Sequence, residues 1–108
     1  MEIVQVNNQK PKENMHHVDA RAVYNKPHAQ VVIISLHPKE SLKPHKTPVD
    51  VFFYVLEGTG TVTIGDEQHR ASKDTIIHSP ANIIHSWSNE SDALVRIMVV
   101  KTPNPTFK

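Results

Sequence analysis

A chain of 108 residues that is 38% hydrophobic and 21% charged has the composition of an ordinary globule rather than a disordered tail. Its net charge of +1 gives no general attraction to nucleic acid or to an anionic membrane, and no apolar run approaches the roughly 20 residues needed to span a bilayer. The lack of cysteine excludes disulfides, zinc–thiolate centres, iron–sulfur clusters and cysteine nucleophiles, and "MEIVQVNNQK" has no secretion-signal pattern, so a cytoplasmic location is expected.

In chain order, short β-branched runs alternate with Pro, Gly, Asn and Asp punctuation, and no long amphipathic helix is predicted. The predicted strands are 2–6 (EIVQV), 20–25 (ARAVYN), 29–37 (AQVVIISLH), 51–58 (VFFYVLEG) and 59–66 (TGTVTIGD). They continue with 67–72 (EQHRAS), 74–79 (DTIIHS), 83–89 (IIHSWSN) and 93–101 (ALVRIMVVK). About nine short strands with regular turn signals read as a sandwich or closed barrel. Val62 and Ile64 share one strand face while Thr61 and Thr63 take the other, and Gly65-Asp66 is a hairpin turn. "VFFYVL" and "VRIMVV" are apolar on both faces, which places them centrally or at a subunit contact. The proline-broken tail from 102 to 108 is expected to lie over the surface.

Eight histidines stand out, and without cysteine any transition-metal site would need imidazole and carboxylate ligands. Two stretches, "LHPKESLKPHKTPVDVFFYVLEGTG" and "DTIIHSPANIIHSWSN", together resemble the paired motifs of the cupin family, G(X)5HXH(X)3–4E(X)6G and G(X)5PXG(X)2H(X)3N. The first motif matches at His45 and Gly58, the second at Pro80, His85 and Asn89. The family's glycine positions fall on Lys39, Asp74 and Asn82, its second histidine on Thr47 and its glutamate on Val51.

The resemblance implies an all-β, double-stranded β-helix or jelly-roll barrel of two antiparallel sheets. It implies one domain over 1–108: an arm and strands over 1–28, the barrel over 29–101 with motifs at 39–58 and 74–89, and the tail. It also implies a homodimer. In metal-bearing relatives two histidines and a glutamate of the first motif join the histidine of the second around an iron, manganese, nickel, copper or zinc ion, leaving positions open for substrate. Here only His45 and His85 remain of that set. Asp50 is one residue away from the glutamate position, and a one-residue offset turns a strand side chain to the other face. It could serve only from a turn or bulge, and otherwise reads as an exposed strand-start aspartate. His78 joins the pair if the Ile76 face is interior, and is an outer-face residue if it is not.

Adjacent His16 and His17 point apart on an extended chain and read as surface residues, although a cupin's N-terminal arm can cover its pocket. Trp87, Phe53 and Tyr54 read first as packing aromatics. There is no nucleophile elbow, and Gly58, Gly60 and Gly65 are the only glycines, so no phosphate-cradling loop or organic cofactor is expected. The expectation is a barrel that takes a small polar molecule, a divalent metal or both through His45 and His85. Alternatives are a metal-free binding or sensing module and a metal-independent enzyme using histidine as acid and base.

Overall fold

The computed structural model describes residues 1–107. Nine strands follow a single 3-10 turn, Val6–Asn8: β1 (Asp19–Lys26), β2 (Ala29–Leu36), β3 (Ser41–His45), β4 (Asp50–Glu57), β5 (Thr59–Ile64), β6 (Glu67–Ser72), β7 (Ile76–Ser79), β8 (His85–Ser88) and β9 (Val95–Thr102). Every pairing is antiparallel, in a five-stranded sheet ordered β1-β2-β9-β4-β7 and a four-stranded sheet ordered β3-β8-β5-β6. This is the double-stranded β-helix that the motifs imply. No helix among the described residues is long and apolar enough to cross a membrane.

Two expectations for strands change. "EIVQV" forms no strand, and Ile3 and Val4 lie exposed. A β-branched composition makes a strand only where a neighbour pairs with it and packs on it. β3 was not anticipated, because Pro44 and the flanking lysines mask its pattern; it is an edge strand, where a residue without N–H is tolerated. The doubly apolar segments, β4 and β9, do lie centrally in the larger sheet.

Strand alternation sends one face of each sheet inward. Leu36, Val51, Phe53, Val55, Trp87, Val95 and Ile97 form the fully buried centre, each contributing roughly 1.5–3 kcal/mol by leaving water. Trp87 packs against Gly60, where a Cβ would come within 2.9 Å of the indole ring. Its Nε1–H is the one buried side-chain polar atom without a partner among the described residues.

The backbone tests the motif alignment independently. Lys39, Asp74 and Asn82 have φ of 73°, 66° and 65°. These are the three positions at which the family pattern calls for glycine, and the left-handed conformation is what that glycine supplies. Gly58 has φ 77°, and a Cβ there would sit 2.3 Å from the Leu94 carbonyl oxygen, so only glycine fits.

Candidate functional site

The site begins with an irregularity in β3. Leu42 pairs with Trp87 in β8, but His45 pairs with His85, so the register slips by one between the two pairs. The extra residue lets His45 face inward like Leu42, which plain alternation would forbid. The two imidazoles then meet at right angles with ring centroids 4.6 Å apart, and the Phe53 ring stands edge-on to His85 at 5.2 Å.

Two connections are stitched together beneath the pair. The Asn82 N–H donates to the Thr47 carbonyl at 2.8 Å, and the Ala81 N–H donates to Asp50 Oδ1 at 2.9 Å. Asn89 ties down the far end of β8: its amide donates to the Leu36 and Ala93 carbonyls, and its oxygen accepts from the N–H and hydroxyl of Ser91. Asn89 therefore holds the scaffold and leaves the chemistry to the histidines.

Hydrogen bonding fixes the protons of the pair. His45 Nδ1 lies 2.9 Å from the Lys43 carbonyl, which can only accept, so Nδ1 carries a proton. In a neutral His45, Nε2 is then an acceptor. His85 Nε2, 3.2 Å away, must be the donor, which leaves His85 Nδ1 to accept from the Ser79 hydroxyl at 2.7 Å. Burial, and next the positive charge of His45, Lys101 and His16, push the His85 pKa down to about 4, so His85 is neutral. If His45 takes up a proton, the whole chain reverses: His45 Nε2 donates to His85 Nε2, and His85 Nδ1 donates to Ser79 Oγ. Serine serves both states because a hydroxyl donates and accepts.

This chain borders a cavity of about 290 Å³ between the sheets. His16 sits at its edge, its ring centroid 5.0 Å from that of His45 and its Nδ1 accepting from the Lys43 N–H at 2.8 Å. Burial and the nearby positive charge of His45, Lys43 and Lys101 lower the His16 pKa. Half-buried Lys101 lines the same cavity, its pKa lowered by burial and by Lys12.

His78 and Asp50 do not join the pair. His78 is exposed beside Ile76 on the outer face of β7, while Ile77 and Ser79 turn inward; it borders a larger open groove, about 510 Å³, between edge strands β6 and β7. The Ile76 face is thus the outside, with Ile76 itself 62% exposed. Asp50 is exposed at the start of β4 and spends its carboxylate on the Ala81 N–H. His37 is exposed as well. The four-residue set His45, His85, His78 and Asp50 therefore does not converge.

Sequence reasoning missed Lys101 and Gln30 and undervalued His16. A signal existed for the first two. Lys101 is in phase with inward Val95, Ile97 and Val99, and Gln30 with Val32, Ile34 and Leu36. A polar residue in step with an apolar face is one aimed at the interior.

The cupin domain model matches residues 32–101. The chain belongs to the cupin family. A curated relative, the uncharacterized protein SCO3923 of Streptomyces coelicolor, is 30% identical over 59% of this chain, and the match spans only 58% of that protein's length. Among solved structures, TT1209 from Thermus thermophilus superposes with a TM-score of 0.84 at 25% identity, covering 97% of this cupin and 100% of the other chain. An RmlC-like cupin from Shewanella frigidimarina gives 0.85 at 11% identity, over 95% and 91% of the two chains. A predicted oxalate decarboxylase from Thermotoga maritima gives 0.85 at 17%, over 94% and 99%, a likeness of fold alone.

Some cupins carry a divalent metal, and the residues here fit one only in part. His45 and His85 do bring their Nε2 atoms together, and each Nδ1 has the oxygen partner that a ligating imidazole uses. The donor set stops there. Val51, at the glutamate position, is 1% exposed within the apolar core, and Thr47 offers only a hydroxyl. Among the described residues no three His, Cys, Asp or Glu side chains are placed to hold an ion. Lys101 and Lys12 add positive charge, and the one carboxylate in the lining, Glu13, lies on the exposed arm. Two neutral donors beside a lysine do not fit a resident dication.

Proposed function

We propose that this cupin binds a small polar organic molecule in the cavity beside His45 and His85, without a resident metal. The observation that carries this reading is the closed chain Ser79–His85–His45–Lys43, in which each imidazole nitrogen already has a protein partner. A cavity near the lower end of the range for small-molecule sites, ~300 Å³, opens beside it.

The imidazole nitrogens give the test. Long-range proton–nitrogen correlation spectra of tag-free protein should show His45 protonated at Nδ1 and His85 at Nε2, unchanged by EDTA. Two Nδ1–H tautomers with metal-shifted Nε2 signals that EDTA abolishes would overturn the reading.

The reversibility of the chain favours a second reading, in which the bound molecule displaces the Lys43 carbonyl from His45 Nδ1 and exchanges a proton there, while His85 holds His45 Nε2 from behind. Under that reading His85→Gln keeps binding and loses turnover; under simple binding there is no turnover to lose.

A homodimer belongs to the same proposal. The outward face of the larger sheet carries half-buried Val31, Phe52 and Met98 beside buried Ile33 and Val100 as neighbours in register, an apolar strip suited to a second copy. Light scattering should give twice the chain mass; a monomer across the micromolar range would remove the dimer.

A further inference from the structure

Gln30 and Lys101 are cross-strand partners on β2 and β9, and both line the cavity. Gln30 is only 4% exposed, and its amide makes no hydrogen bond to another described residue. Its amide is not among the fully covered polar atoms, so it opens onto the cavity with its donors and acceptor unused by the protein. Lys101 makes no ion pair among the described residues, whose only salt bridges are Arg21–Asp19 and Lys26–Glu2. The sole carboxylate in the lining is Glu13, on the exposed arm. A desolvated ammonium and an unused carboxamide thus stand side by side over a cavity.

Apart from Lys12, Asn14 and His16 on the arm and the His45–His85 pair, the rest of the lining is apolar: Val32, Ile34, Leu42, Phe53 and Val99, with Met15, Val18 and Ala20 from the arm side. Those walls would be left unfilled by a compact, fully polar anion.

Resting on the reading of this cavity as the ligand site, we infer that the ligand is a small monocarboxylate with a branched or cyclic hydrocarbon body. Its carboxylate is gripped by the Lys101 ammonium and the Gln30 amide N–H. Two donors on neighbouring strands match the two oxygens of a carboxylate, and the ammonium supplies the opposite charge. The body lies against Val32, Ile34, Phe53 and Val99, which places the acid beside the His45–His85 pair. The lowered pKa of Lys101 agrees with an ammonium that lacks its counter-ion.

The experiment titrates 3-methylbutanoate, its amide 3-methylbutanamide and inorganic phosphate into the full chain, following the ring resonances of His45 and His85. The acid should shift both rings saturably, with the amide and phosphate weaker by at least about tenfold. Lys101→Met should weaken the acid by about tenfold or more and Gln30→Leu by about threefold, with the His45 and His85 tautomers unchanged. Lys101→Arg keeps the charge and should retain part of the affinity, showing that Lys101→Met acts through charge rather than folding. If the amide or phosphate matches the acid, or Lys101→Met binds as tightly as the parent, the carboxylate class is wrong while the cavity remains the site. If neither acid nor amide moves the rings, the class and the cavity reading fall together.

Discussion

The two segments that carry the family pattern differ in what they keep. Segment 74–89 retains each chemically specific position: Pro80, His85 facing the cavity and Asn89 clamping four groups. Segment 39–58 retains only His45 and Gly58, with Val51 and Thr47 where ligands would stand. Yet the backbone obeys the pattern in both, since Lys39, Asp74 and Asn82 hold the left-handed conformation without glycine. Conformation at the turns is required by the barrel, whereas the ligand set is required only by a metal. The turn conformations of the fold are kept while the family's set of metal donors is incomplete.

If that division is right, backbone positions should outweigh ligand positions in stability. Gly58→Val has the largest expected effect. It forces a β-branched residue to φ 77° and a Cβ into the Leu94 carbonyl, and should cost more than about 4 kcal/mol in urea unfolding or abolish folding. Asn89→Ala comes next, leaving the buried Leu36 carbonyl without its donor and the Ala93 carbonyl with only the Ser91 hydroxyl; a loss of about 2 kcal/mol is expected.

Acid should probe the retained histidine. The folded pKa of His85 lies below its ordinary 6.5, at about 4, so between these values the unfolded chain binds more protons. Stability is therefore full above pH 6.5 and declines as the pH falls through about 4. The expected loss is about 2 kcal/mol, reduced from the full shift because the cavity admits water. Denaturant melts at pH 7 and pH 4 measure it, and His85→Gln should flatten that part of the profile. The smallest effect sharpens the comparison from the other side: Lys39→Gly should raise stability by about 1 kcal/mol, and Asn82→Gly by less, since asparagine tolerates φ of 65° better than lysine tolerates 73°.

Much of the architecture was legible because it rests on local rules. The turn signals located β6 to the residue and β5 to within two residues at its end, and the motif spacing put His45 and His85 on one site before any coordinates. What escaped depends on long-range pairing. The "EIVQV" segment has strand composition but no partner, and β3 became a strand only through β8. The face of His78 was undecidable from alternation, because Ile76 and Ile77 are equally apolar and only the sheet shows which one is covered. Lys101 and Gln30 were hidden differently. Each breaks an apolar rhythm, but nothing local shows that they are neighbours until β2 and β9 pair.

Metal content tests the central claim most directly. Tag-free protein, incubated with excess Mn2+, Fe2+, Ni2+, Cu2+ or Zn2+ and then desalted, should retain well under about one-tenth of an ion per chain by elemental analysis. The double substitution Thr47→His with Val51→Glu, which restores the family's donors, should raise retention toward one ion per chain. Near-stoichiometric metal in the unaltered protein, lost on His45→Ala, would contradict the account.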